Sequence, residues 1–162
     1  MKNLPYIIFC IFLISFSGVD RIENKSNKIL AKTFKGISIK KKKLIFSSKN
    51  KDEKWHTILN KNTEQILRHI DTNSAIGRFD KFDFMVLYNP DKSIHKVRVL
   101  IYREDHGGEI ANKRWLKQFE GKSIKNIKNL SKQINGISGA TLSCNAITSE
   151  IKNSLITIQK LN

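Results

Sequence analysis

Cysteine is scarce in this chain: of its 162 residues only Cys10 and Cys144 carry a thiol. Cys10 lies inside an apolar N-terminal stretch, so a mature chain without that stretch keeps a single thiol and has no internal disulfide. No CxxC or CxxCH occurs, which argues against a structural zinc site of that kind, a c-type haem and cysteine-ligated iron–sulfur clusters. His56, His69, His95 and His106 are dispersed without ligand spacing, and His106 reads as a plain loop histidine. No nucleophile has a base at recognisable spacing, so nothing points to a hydrolase. Long apolar runs are missing as well. The stretch from Leu4 to Phe16 is shorter than the roughly 20 residues that a bilayer-spanning helix needs.

That stretch belongs to Met1–Ser17, MKNLPYIIFCIFLISFS, which has the parts of a secretory signal. Lys2 supplies a basic start, and Ser15 and Ser17 offer a small-x-small cleavage site. Cys10 sits in the middle of the apolar core rather than at its end, which disfavours a lipoprotein. The expectation is an exported chain, periplasmic or on the outer face of the cytoplasmic membrane.

Acidic residues are the other shortage: 14 Asp and Glu stand against 30 Lys and Arg, a formal charge of +16. Such an excess suits nucleic acid or an anionic membrane surface. An export signal argues against nucleic acid, and a solvated Lys-rich surface is the plainer reading. The run Lys40–Lys43 lies between Ile37/Ile39 and Leu44/Ile45/Phe46, as the exposed part of a strand pair would.

The division expected along the chain is a signal peptide over 1–17, an N-terminal extension of open structure over 18–54, and one domain over 55–162. Within the extension the pattern predicts a short helix around Lys28–Phe34, and Lys49–Lys54 reads as a charged loop. Trp55, Ile58, Leu59, Ile66, Leu67 and Ile70 suit helical packing interrupted near Asn60–Asn62, with Thr63 as an N-cap. Phe82, Phe84, Val86 and Tyr88 alternate with their neighbours, NPDKS turns the chain, and Val97, Val99 and Ile101 alternate again. That is a β-hairpin. A loop with Gly107 and Gly108 follows, both expected in backbone conformations that a side chain disfavours. A helix over Asn112–Phe119 is stopped by Gly121. Ile147, Ile151, Leu155 and Ile158 mark one face of a final helix from about Ser143 onward.

Immediately before that helix stands NGISGATLSCNAIT, residues 135–148. Unpaired N–H groups and the positive end of the helix dipole meet there, so an anion such as phosphate is stabilised without a basic side chain. Gly136 and Gly139 let the backbone come close, and Ala140 keeps the approach clear. An ordinary turn and cap would use the same residues.

Ile137–Ser143, ISGATLS, resembles the flavinylation motif of the FMN-binding domain family, represented in the G subunit of the Rnf complex and the C subunit of the sodium-translocating NADH:quinone reductase. That motif is an acidic residue, two variable positions, Ser or Thr, then Gly-Ala-Thr. Ser138, Gly139, Ala140 and Thr141 match it, which implies FMN joined through its phosphate to Thr141 by a flavin transferase. Two further segments are similar in the right order. YREDHGGEI carries Glu104 and Gly107 at recurring positions, and RWLKQFEGK carries Trp115, Gln118, Phe119, Gly121 and Lys122. Roughly residues 76–160 are covered. Asn135 departs from the pattern by replacing the acidic residue, and Cys144 stands where a second Ser or Thr is common.

The resemblance implies a single α+β domain, an antiparallel sheet forming a partial barrel flanked by helices. It implies a redox carrier domain rather than a stand-alone enzyme, with FMN as cofactor. The expected cofactor-binding residues are Thr141, Ser138, Gly139, Ala140, Leu142, Ser143, Glu104, Gly107 and Gly108, with no metal and no catalytic residue of the chain's own. A flavin transferase and membrane redox partners are implied. The alternatives are a module of the same fold that holds flavin loosely or not at all, and a basic protein that binds membrane surfaces.

Overall fold

Alternation of side chains across a strand lets one sheet bury both faces when helices cover both, and this chain is built that way. A computed structural model describes residues 18–44, 46 and 55–161. The expected signal segment Met1–Ser17, with Cys10, and the expected loop Lys49–Lys54 lie outside them. Helix α1 spans Gly18–Thr33, followed by strands β1 (Ile39–Lys43), β2 (Trp55–Asn60), β3 (Ile66–Ile76), β4 (Lys81–Tyr88) and β5 (Ile94–Ile101). Short helices α2 (Lys113–Leu116) and α3 (Leu130–Gln133) alternate with short pieces of tighter helix, and α4 (Thr141–Ile158) is the last element of the described chain. The strands form an antiparallel meander in the order β1-β2-β3-β4-β5, open at β1 and β5. Helices and sheet make one α+β domain, the class the sequence implies.

On one face, Phe82, Phe84, Val86 and Tyr88 of β4 pack with Ile147, Ile151, Leu155 and Ile158 of α4. On the other face, Ile58, Ile70, Met85, Leu87 and Leu100 meet Leu30 and Phe34 from α1 and its end. Full burial of such a side chain contributes about 1.5–3 kcal/mol, so both clusters are substantial. Ser154 of α4 donates a hydrogen bond to Asp71 of β3, tying helix to sheet inside the first cluster.

Three expectations need correction. The helix near Lys28–Phe34 is longer, running over Gly18–Thr33 among the described residues, and it helps cover the second sheet face. The helical reading of Trp55–Ile70 is wrong: these residues form the β2–β3 hairpin, and Thr63 lies in its turn, where Asn60 Oδ1 accepts from the N–H groups of Asn62 and Thr63 at 2.9 and 3.3 Å. Trp55 faces the α4 side and Ile58 the α1 side, and a bulge between Ile58 and Leu59 shifts the register. Two buried faces plus a bulge produce apolar spacings that imitate a helix. The final helix starts at Thr141, two residues earlier than its apolar face suggests.

The hairpin of β4 and β5 stands where alternation puts it, and Lys40–Lys43 is the exposed part of edge strand β1. Lysines on an edge oppose pairing with further strands. Asn112 caps α2 by accepting from the Arg114 N–H at 2.8 Å, and Gly121 has φ +78° just after the helical segment.

Candidate functional site: a cleft at the start of the last helix

Ala140 is the N-cap of α4 and has no side-chain acceptor to offer its first turn; the first intrahelical bond runs from the Cys144 N–H to the Ala140 carbonyl at 2.9 Å. The N–H groups of Thr141, Leu142 and Ser143 therefore open the helix, where its dipole favours an anion. Gly139, with φ +80°, makes the sharp approach that a Cβ would strain. Thr141 is exposed, so its hydroxyl is reachable from solvent.

A cleft of about 630 Å³ lies along this turn. Gly139, Ala140, Thr141, Leu142 and Ser143 line one side; Arg78–Asp80 and Arg103–Gly107 line the rest. Glu104 and Gly107, singled out in the sequence, are thus brought to the motif. Ser138 is exposed and Gly108 opens a turn of tighter helix, and neither is among the lining residues.

The two glycines differ. Gly107 has φ +84°, and a Cβ there would sit 2.6 Å from the Tyr102 hydroxyl. At Gly108 no positive φ is needed and a Cβ would make ordinary contacts of 3.7 and 3.9 Å, so the expectation of two constrained backbones holds for Gly107 alone. Tyr102 explains the first constraint. Its hydroxyl donates to the His106 carbonyl at 2.8 Å and lies 3.1 Å from Ser143 Oγ, joining the glycine loop to α4. Ser143 is buried beneath the cleft, so its hydroxyl supports the wall.

Glu104, an expected cofactor-binding residue, orders a neighbouring turn. Its Oε1 accepts from the N–H groups of Phe79 and Asp80, each at 2.8 Å. Those two bonds, Asp80's first, hold the carboxyl below the usual carboxylate range, and the Arg78 charge adds to them. Arg103 is committed elsewhere, at 2.5 Å from Asp83 and 2.8 Å from the Lys81 carbonyl. Arg78 forms no salt bridge among the described residues.

Behind the motif, Gln118 Oε1 accepts from the Asn135 N–H at 2.8 Å, and Trp115 Nε1 donates to the Asn135 carbonyl at 2.6 Å. The Trp and Gln that accompany the motif in sequence thus fix the backbone where it begins. Trp115 and Phe119 pack edge to face at 5.5 Å in the core and do not line the cleft. Cys144 is buried, which pushes its thiol pKa up and leaves it a packing residue.

Gly77, Arg78, Phe79, Asp80, Tyr102 and Arg103 are site residues that sequence reasoning missed. The only local signal is the small turn GRFD between two strands, which does not announce a ligand.

The donor set fits FMN. A phosphate suits the opening turn of α4 beside Thr141 and the exposed cation of Arg78, and the exposed apolar surfaces of Phe79 and Leu142 suit a flat ring. A search of the curated proteins finds none that matches the chain significantly. The FMN-binding domain family matches residues 77–156, from the missed Gly77 through β4, β5 and the glycine loop into α4. That segment of the chain is an FMN-binding domain, and FMN is its cofactor.

Proposed function

We propose that this protein is an extracytoplasmic electron-transfer flavoprotein whose FMN is joined by a phosphoester to Thr141. The observation that carries the proposal is the position of Thr141: an exposed hydroxyl on the first residue of α4, at the wall of the cleft and inside the matched domain. Attachment would form a bond from Thr141 Oγ1 to the FMN phosphorus as the bond from that phosphorus to the leaving group of an activated flavin donor, such as the nucleotide of a flavin dinucleotide, breaks. The leaving group departs with the hydroxyl proton, and the chain gains one FMN less one water. The N–H groups of the first turn would satisfy remaining phosphate oxygens.

Bound flavin supplies the one- or two-electron chemistry, and the protein fixes its position and environment. Leu142 offers apolar surface beside the attachment point, while Tyr102 and Ser143 brace the glycine loop against the helix. Trp115 and Gln118 keep the motif presented to a flavin transferase. Export rests on Met1–Ser17, and membrane redox partners and a lipid-facing use of the Lys-rich surface belong to the same reading. Among the described residues no helix is long and apolar enough to cross a membrane.

Asn135 in place of the motif's acidic residue favours a second reading, in which the same cleft holds FMN without a covalent bond. Protein purified from its native host and run on a denaturing gel separates the two. A flavin-fluorescent band that survives denaturation supports attachment; flavin released into the supernatant supports the non-covalent reading.

A further inference from the structure

Phe79 raises a separate question, because a phenylalanine that lines a cleft yet stays 78% exposed exposes apolar surface for no packing gain. Its backbone is not loose. The turn Gly77–Asp80 between β3 and β4 closes with a bond from the Gly77 N–H to the Asp80 carbonyl at 2.9 Å, and Glu104, from the loop after β5, grips the N–H groups of Phe79 and Asp80. Gly77 is what lets the carboxylate reach: a Cβ there would lie 2.5 Å from Glu104 Oε1 and 3.1 Å from Ser143 Oγ. The Arg78 guanidinium sits 5.0 Å from the centroid of the Phe79 ring, a cation–π contact that steadies the side chain while leaving most of its surface open. Leu142, 56% exposed on the first turn of α4, supplies the other apolar element of the cleft.

We infer that the Gly77–Asp80 turn is a wall of the flavin slot, in which Phe79 covers the isoalloxazine and Glu104 is the positioning residue that holds the turn against it. This rests on the FMN reading above and assigns roles to residues outside the attachment motif. Glu104 acts through backbone N–H groups rather than by touching the ring, so what it needs to supply is an acceptor oxygen, not a charge.

The test is collisional quenching of flavin fluorescence by acrylamide, a neutral probe, in the FMN-loaded full chain. Phe79→Ala removes the cover and is expected to raise the quenching constant about twofold to threefold, with the fold unchanged because the residue is exposed. Glu104→Ala should raise it by a similar factor, while Glu104→Gln, which keeps an acceptor carbonyl oxygen, should stay near the parent value. An unchanged constant in Phe79→Ala overturns the inference. So does a Glu104→Gln protein as accessible as Glu104→Ala, since that result assigns the effect to charge. A parent chain that holds no flavin would instead overturn the FMN reading itself. If Glu104→Ala does not fold by circular dichroism, Phe79→Ala and Glu104→Gln still decide the matter.

Discussion

The turns at the two ends of β4 solve the same problem in opposite ways. At one end, Asn89–Ser93 satisfies itself: the Asn89 N–H donates to the Ser93 carbonyl at 2.8 Å, and Asp91 Oδ1 accepts from the Ser93 N–H and hydroxyl at 3.0 and 2.6 Å. At the other end, Gly77–Asp80 borrows its acceptor from Glu104, a residue on the far side of the β4–β5 hairpin. A turn closed by its own side chains has nothing left to offer a ligand. One closed by a distant carboxylate can display Arg78 and Phe79 in the cleft, and its shape then depends on the loop that carries the carboxylate.

The sharpest way to break the comparison is to damage that loop. Gly107→Val would meet both a positive φ and the Tyr102 hydroxyl, with an expected loss of about 2–4 kcal/mol in urea unfolding and loss of the flavin spectrum. Gly108→Val, next to it, should cost less than about 1 kcal/mol and leave the spectrum intact. Equal damage from both would mean that Tyr102 and the backbone of Gly107 do not set the cleft wall.

At the self-contained end, Asp91→Ala removes both bonds to Ser93 and should cost about 0.5–1 kcal/mol while leaving flavin binding and acrylamide accessibility unchanged. A changed flavin environment in that variant would show that the two ends are coupled.

The smallest effect is that of pH. Both turn carboxylates lie below their ordinary pKa, Asp91 through its hydroxyl and backbone bonds to Ser93 and Glu104 through the N–H groups of Asp80 and Phe79. A depressed folded pKa means that the contribution is fully present above the ordinary value of about 4 and is lost as pH falls through the lower folded one. Acidification in the Asp91→Ala background should therefore lower stability to urea with one titration step, absent once Glu104→Gln is added, while acrylamide access stays near the parent value because a protonated Glu104 keeps an acceptor oxygen. Asp91 is exposed and Glu104 only partly shielded, so the change is modest and salt-sensitive.

What could be read from sequence follows the same contrast between local and remote. The β4–β5 hairpin is legible because alternation and NPDKS are local, and α4 because Ile147, Ile151, Leu155 and Ile158 repeat on one face. The β2–β3 hairpin is not, since α1 and α4 bury residues of both parities and a bulge breaks the count. Thr141 and its glycine are legible as a motif at a helix start. Phe79 and Asp80 are not, because the bonds that make them part of the site join them to Glu104, 25 and 24 positions away. The same holds for Gln118 and Trp115, whose role as a grip on Asn135 appears only in space.

The central claim is that Thr141 carries the flavin, and intact mass tests it most directly. Co-expressed with a flavin transferase and exported, the parent chain should gain the mass of one FMN less one water. Thr141→Ala should gain nothing and still fold, because the residue is exposed. Thr141→Ser, which keeps the hydroxyl, should gain part of it. A folded Thr141→Ala protein that retains the full increment through denaturation would contradict the account.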